Sequence, residues 1–333
     1  MNVARFAVVL VPVALASCSS GAAYTLYTEN DYFGTSNSDQ HYTNGLRVTG
    51  LYSAPDTPQG LSNLAEAIPS VSPHAITQIG WVAGQEIYTP AETDRKVPDP
   101  EDRPYAGWLY AGVLVAKAVQ AEDGPAGDRV HVFEVDIGVT GPPSLAAQSQ
   151  ISFHHMIDEE RPQGWRHQIG FEPGIDAEYE YRYRLAAGPS SLGGEWDLLG
   201  GVGAAIGNVS GRISAGAMAR WGNELRRDFG PNTIHSTAVD VSDGNHRTDP
   251  RWYGFVGYEG RVVGWNLFLD GNTFRDSPSV NSNPLVGELR AGVVLEWNSF
   301  RFAYTHIVRS REFEGQDDFD VYGSIALTWE AAF

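Results

Sequence analysis

"GIDAEYEYRYRLAA", from Gly174 to Ala187, places Ile175, Ala177, Tyr179, Tyr181, Tyr183 and Leu185 on odd numbers and Asp176, Glu178, Glu180, Arg182 and Arg184 on even ones. A helix would scatter those charges around its circumference, whereas a strand sends alternate residues to opposite faces and collects them on one side. The last segment, "VYGSIALTWEAAF", repeats the pattern: Val321, Gly323, Ile325, Leu327, Trp329, Ala331 and Phe333 oppose Tyr322, Ser324, Ala326, Thr328, Glu330 and Ala332. In "FEVDIGV", Phe133, Val135, Ile137 and Val139 oppose Glu134, Asp136 and Gly138. "WNLFLDG" reads the same way, with Trp265, Leu267 and Leu269 against Asn266, Phe268 and Asp270. Charge on one face and aromatic or apolar residues on the other suit a barrel with a polar lumen and a lipid-facing wall. A soluble sandwich alternates similarly, so the compartment has to decide.

The first residues speak to it. Met1 to Arg5 carry one positive charge, and "FAVVLVPVALA" is an apolar run of signal-peptide length, too short to span a bilayer as a helix. Two processing sites compete: before Cys18 in "LASC", which would leave a lipidated cysteine, or after Ala23 in "GAA", which would leave Tyr24 first. The expected division is a signal over residues 1–23 and one domain over residues 24–333. Cys18 is the only cysteine, so no internal disulfide is expected. No later apolar run reaches the roughly 18 residues that a transmembrane helix needs, but barrel strands need only about 9–11. The 37 Gly, 15 Tyr, 14 Phe and 9 Trp suit such strands. Export, together with the aromatic last residue Phe333, favours an all-β, antiparallel transmembrane β-barrel in the outer membrane of a Gram-negative bacterium.

The net charge is −18, from 41 acidic and 23 basic residues. Nucleic-acid binding is excluded, because it calls for a basic footprint. Clusters of Pro, Gly, Asn and Asp over 53–74, 120–129, 240–251 and 272–284 read as loops between strands.

Three polar clusters exceed what turns require. "NDYF" begins at Asn30 and precedes "HYTNGL", which holds Thr43. "GQEIYTPAETDRKVPDPEDRPYAGWLYAG" runs from Gly84 to Gly112 as a strand end, a charged loop and a new strand. "SFHHMIDEERPQGWRHQI", from Ser152 to Ile169, gathers His154, His155 and His167 beside Asp158, Glu159 and Glu160. Imidazole titrates near neutral pH, so histidine among carboxylates is raw material for a general base. No HExxH or GxSxG pattern is present and no free cysteine follows the signal. A serine nucleophile stays open although no serine stands in a distinctive setting, and water activated by histidine is chemically sufficient for an ester. A hard cation such as Ca²⁺ would find Asp31 a suitable ligand.

Taken in order, "END-YF", "HYTNGL", "GQEIYTP", "EDRPYAGWLY", "DIGVTGP" and the "H…PQGW…Q…EPG" run from His154 to Gly174 resemble the outer-membrane lipid A 3′-O-deacylase family. The resemblance implies about twelve strands, dependence on Ca²⁺, and removal of the 3′-linked acyl chains of lipid A. It implies His154 as the base that activates water, since His154 stands at the family's distance from Trp165. It places Asp31 on the metal, Asn30 and Thr43 in support of the ion or oxyanion, and Glu160 at an acidic position downstream of the histidine. The family's active-site lysine has no direct match: Arg95 falls near it and Lys96 follows, as candidates for contact with lipid A phosphate. The implied partners are lipid A or lipopolysaccharide and the outer membrane, with the chain a monomer. Because neighbours on a strand point to opposite faces, Asn30 and Asp31 can share a site only if the strand ends or bulges between them. On this reading Thr43 begins the returning strand and His154 arrives from a later one. Three other readings compete: an outer-membrane phospholipase, which needs a serine–histidine pair that does not stand out; a pore or structural barrel whose polar clusters line the lumen; and an inactive relative that keeps the fold, given the missing lysine.

Overall fold

The computed structural model describes residues 22–34, 41–53, 63, 72, 75–234 and 250–330. Of the expected signal over residues 1–23, residues 1–21, Cys18 included, lie outside the described residues, as does the terminal Phe333. Twelve antiparallel strands close into one barrel in which each strand pairs with its neighbours in sequence and the first pairs with the last. The strands are β1 (Ala22–Asn30), β2 (His41–Ser53), β3 (Ile76–Thr89), β4 (Ala106–Val119), β5 (Arg129–Thr140) and β6 (Pro173–Pro189). They continue as β7 (Glu195–Gly207), β8 (Ser210–Gly222), β9 (Arg251–Asn266), β10 (Leu285–Trp297), β11 (Phe300–Arg309) and β12 (Asp320–Glu330).

The alternation read from the sequence is the inside and outside of this wall. Asp136, Asp176, Arg182 and Arg184 are buried in the lumen, while Val135, Ile137, Ile175 and Leu185 are exposed on the outer face. Across the β5–β6 pair, Glu134 stands opposite Glu178 and Asp136 opposite Asp176. Arg47 of β2 reaches over to Glu134 at 2.7 Å. The lumen is packed: a cavity of about 100 Å³ is left among residues including Arg47, Glu86, Asp136, Asp176, Glu178 and Arg212.

Residues 228–234, which follow β8, lie inside that lumen. Asp228, Phe229, Asn232, Thr233 and Ile234 are all buried. Ile234 donates its main-chain N–H to Glu29 at 2.7 Å, and its carbonyl accepts from Arg47. At the base of the segment, Asp228 receives Arg220, Arg301 at 2.9 Å and Arg251 at 3.0 Å, with the Tyr253 hydroxyl at 2.9 Å.

The connections 90–105, 141–172, 267–284 and 310–319 lie at one end of the barrel; the described chain ends and the turns 120–128, 190–194 and 298–299 lie at the other, where the connections 54–75 and 223–250 also start and finish. Outer-membrane barrels keep their short turns on the periplasmic side, which assigns the end that carries 141–172 to the outside. Two sequence expectations fail here. "WNLFLDG" does not continue as strand: β9 stops at Asn266 and Leu267–Asp270 forms a short helix. Asn266 caps it by accepting from Phe268 N–H at 3.0 Å, and Leu267, Phe268 and Leu269 all bury, which strict alternation forbids. His154 and His155 lie on a helix, α1 (Ala146–Ile157), inserted between β5 and β6. His154 therefore arrives on a helix rather than a strand.

Candidate functional site

On β1, Glu29 points into the lumen toward Ile234, so alternation turns Asn30 to the outer side of the wall. The strand ends there, and Asp31–Phe33 winds into a 3-10 turn. Asn30 caps the turn, its side-chain oxygen accepting from Tyr32 N–H at 2.8 Å. Asp31 accepts from the same N–H at 2.8 Å and is buried. The turn folds over the outer face of β12 and β11: Tyr304 Oη donates to the Phe33 carbonyl at 3.0 Å, and Phe33 crosses Gly323 so closely that a Cβ there would lie 2.7 Å from Phe33 Cβ. The end of β1 thus brings Asn30 and Asp31 to one locality.

Thr43 reaches the same face through a bulge. Tyr42 packs against Tyr88 and Tyr322, and Arg47 lies in the lumen, so regular alternation back from Arg47 would send Thr43 inward as well. The β2–β3 register shifts between Tyr42 and Asn44, and the extra residue re-aims the side chain. Thr43 Oγ1 meets Thr89 Oγ1 at 2.7 Å. Since Glu86 and Tyr88 line the lumen, Thr89 belongs to the outer face. The Thr43 carbonyl accepts from Asn30 Nδ2 at 3.0 Å, joining the two strands at this point.

Helix α1 lies on the outside of β3 and β4. Gln85 Nε2 donates to the Ser144 carbonyl at 2.6 Å, and a Cβ on Gly107 would sit 2.3 Å from both Ala146 Cβ and Ser144 Oγ. Ile87, Tyr105, Ala146 and Trp165 form the apolar contact between helix and wall. The helix buries Ala146, Gln150 and His154, three residues spaced by four along one face. His154 Nδ1 donates to the Glu160 carbonyl at 2.5 Å. That bond places the proton of the neutral imidazole on Nδ1 and makes Nε2 its basic nitrogen. Gln150, one turn earlier, accepts from Trp165 Nε1 at 2.8 Å. Neither Gln150 nor Thr89 stands out in the sequence; Gln150 is visible only by its spacing of four from His154 once the helix is known.

Glu160 meets His154 through its main chain, with its side chain exposed. Arg95 and Lys96 are exposed on the 90–105 connection, where Arg95 pairs with Glu92 at 2.9 Å and Asp99 at 3.2 Å. This connection is tied to the segment that follows α1: Gln163 N–H and Tyr105 Oη both donate to the Thr93 carbonyl, at 2.8 and 3.2 Å. His155 and His167 are exposed. Among the described residues no group of three or more His, Cys, Asp or Glu side chains is gathered to hold a metal. The donors at Asn30, Asp31 and Thr43 are one carboxylate with amide and hydroxyl oxygens. In kind this set fits a hard cation that also takes water or ligand oxygens, and it does not fit zinc.

Comparison with known proteins follows this geometry. The family model for outer membrane protein LpxR matches residues 3–331. In structure the chain is similar to LpxR from Salmonella typhimurium, with 21% identity over 93% of this chain and 100% of that one and a TM-score of 0.73. The β domain of the Bordetella autotransporter BrkA gives 10% identity, coverage of 94% and 99%, and a TM-score of 0.44. The translocator domain of NalP from Neisseria meningitidis gives 10% identity, coverage of 93% and 88%, and a TM-score of 0.40. A comparison with curated protein sequences finds no match.

Proposed function

This chain belongs to the LpxR family of outer-membrane proteins, which places it in the outer membrane of a Gram-negative cell, and we propose that it acts there as a Ca²⁺-dependent lipid A 3′-O-deacylase. The observation that carries the reading is the side of the wall on which the polar residues collect. Asn30, Thr43 and the His154 helix occupy the outer face at the extracellular end, where an outer-leaflet lipid lies against the barrel, while 228–234 lies in the lumen behind them.

His154 Nε2 takes a proton from water, whose oxygen attacks the ester carbonyl carbon. The same imidazolium then returns the proton to the departing sugar oxygen, and the acyl chain leaves as a carboxylic acid. The Glu160 carbonyl holds the imidazole in the tautomer and orientation this requires. Asn30 and the Thr43 hydroxyl face the developing oxyanion, and Asp31 with neighbouring neutral oxygens would hold Ca²⁺. When bound, that ion polarises the carbonyl as a Lewis acid. Arg95 and Lys96 stand on the outer loop as contacts for lipid A phosphate, Arg95 by a forked pair of donors. The protein works as a monomer.

A pore is the poorer reading, because 228–234 lies inside the barrel, where Ile234 bonds to both Glu29 and Arg47. The test is mass spectrometry of lipid A from membranes expressing the wild type or His154→Ala, with and without a Ca²⁺ chelator. Loss of the 3′ acyl mass only with wild type and calcium supports the deacylase. Unchanged lipid A beside a folded wild-type barrel refutes it.

A further inference from the structure

We infer that His41, held by Asp320, is a positioning residue that sets the bulge at Thr43 and so aims the Thr43 hydroxyl at the outer face; the catalytic part of this inference rests on the deacylase reading above. β1 stops early. Its last residue, Asn30, pairs with Asn44 on one side and Gly323 on the other, yet β2 begins at His41 and β12 at Asp320. Beyond Asn30 the closure of the barrel would have a gap one strand wide, and the chain leaves that gap to cross the outer face of β12 as the Asp31–Phe33 turn.

The gap is bridged by side chains. His41 Nδ1 donates to Asp320 Oδ1 at 2.5 Å, and Gln316 Nε2 donates to the same oxygen at 3.0 Å. Phe313 stands edge-on to the imidazole, with ring centroids 5.6 Å apart. His41 and Asp320 are each 5% exposed. The β11–β12 connection thereby fixes the imidazole from the far side of the gap.

The backbone of His41 is held as well. Its φ is +62°, a left-handed conformation that is unfavourable for most residues and persists where surroundings enforce it. His41 pairs with Thr89, and the next pair, Tyr42 with Tyr88, is the last before the register slips past Thr43. The left-handed residue and the bulge are thus one local device. It turns Tyr42 inward to Tyr322 and Thr43 outward to Thr89. Without the strap, β2 can recover regular alternation by sliding the extra residue out, which returns Thr43 to the lumen side.

The test compares His41→Ala, His41→Asn, Thr43→Ala and the His41→Ala/Thr43→Ala double variant in the full chain, folded in outer membranes. Initial rates of lipid A deacylation are read as separate kcat and KM values. His41→Ala is expected to lower kcat as much as Thr43→Ala, up to about 10²-fold for a displacement near 1 Å, with KM little changed. The double variant is expected to be no worse than Thr43→Ala alone. His41→Asn, which tolerates left-handed backbone, is expected to recover part of the rate. Multiplicative losses in the double variant, or a His41→Ala enzyme with the wild-type rate, overturn the inference while leaving the deacylase standing. A second arm needs no turnover. Thr43→Cys/Thr89→Cys is expected to form a disulfide across the 2.7 Å hydroxyl contact and to lose it when His41→Ala is added. An undiminished crosslink overturns the inference even if the wild type proves inactive on lipid A.

Discussion

Gly107→Ala is expected to silence the site while sparing the barrel. Gly107 lies on the outer face of β4 beneath the first turn of α1, and a Cβ there would fall 2.3 Å from Ala146 Cβ and from Ser144 Oγ. Carbon atoms in contact sit about 3.5–4.0 Å apart, so the first turn of the helix has to lift by roughly 1.2 Å or more. Overpacking of this kind typically costs about 1–3 kcal/mol, which twelve-fold closure of the wall can absorb because Gly107 keeps its strand pairing with Ile87. The helix has less to resist with: its wall contacts are Gln85 to Ser144 and the Ile87–Ala146–Trp165 cluster. A shift near 1 Å at the far end, where His154 sits, can cost about 10²-fold in rate. The assay is lipid A mass spectrometry over a time course, beside heat-modifiable migration in gels as the check on barrel folding. Ala146→Gly with Ser144→Gly, added to Gly107→Ala, removes both clashing atoms and is expected to restore much of the rate. Full activity in Gly107→Ala alone would refute the idea that contact between helix and wall sets the position of His154.

Other outcomes follow from the same geometry. His154→Gln retains a polar side chain without a base, and is expected to lower kcat about 10²–10⁴-fold with the barrel's melting behaviour unchanged; a rate within a few-fold of wild type would remove His154 from the mechanism. Asp228→Ala leaves Arg220, Arg251 and Arg301 facing one another inside the barrel. Removing one partner of a buried ion pair costs about 3–5 kcal/mol, so the temperature at which the folded gel band disappears is expected to drop, and an unchanged temperature would show the lumen segment to be held elsewhere. Glu172 predicts a pH dependence. Burial alone would raise its carboxyl, but donation from Asn208, Asn272 and the Thr273 N–H holds it below the ordinary carboxylate range. A lowered value means that this contribution is whole at neutral pH and is lost as pH falls below about 4, the usual glutamate value. Proteolysis within 272–284 is expected to rise only on that acid side, and Glu172→Gln to show no such step.

How far the sequence disclosed this protein differs between wall and site. Period-two alternation is a direct imprint of a wall with unlike solvents on its two sides, so Asp176 to Arg184 read correctly without any neighbour in view. The end of β1 was legible for a related reason: Asn30 and Asp31 are useful together only where alternation stops. The failures have physical causes too. Helix α1 announces itself poorly, because Leu145 enters it in a left-handed conformation with no side-chain cap and its exposed face mixes Gln148 and His155 with Phe153, Met156 and Ile157, which blurs the helical period. "WNLFLDG" alternates by accident, since three consecutive apolar residues bury in a short helix rather than across a sheet. The bulge at Thr43 was hidden because "YTNG" has the composition of a turn; only the register against β3 separates the two.

The site depends on departures from the regular barrel, and each has its own local cause. A perfect twelve-stranded wall would present Leu26, Asn30 and Leu46 outward in simple alternation and keep Thr43 inside with Arg47. Three irregularities change that outcome: β1 ends at Asn30, β2 carries an extra residue at Thr43, and α1 is laid over β3 and β4. They converge because each lies at the extracellular rim, where the ladder has fewest bonds to lose and where the membrane gives way to water. A rim built this way can hold polar groups against a lipid headgroup, as the apolar belt below it cannot. It also explains why the filled lumen and the outer site coexist: ion pairs such as Arg47–Glu134 and the Asp228 cluster stiffen the wall from within, so the irregular rim is carried by a scaffold that does not yield. If that division of labour holds, substitutions that loosen the Asp228 cluster lower barrel stability well before they change lipid A turnover, whereas those at His41, Gly107 or Gln150 do the reverse.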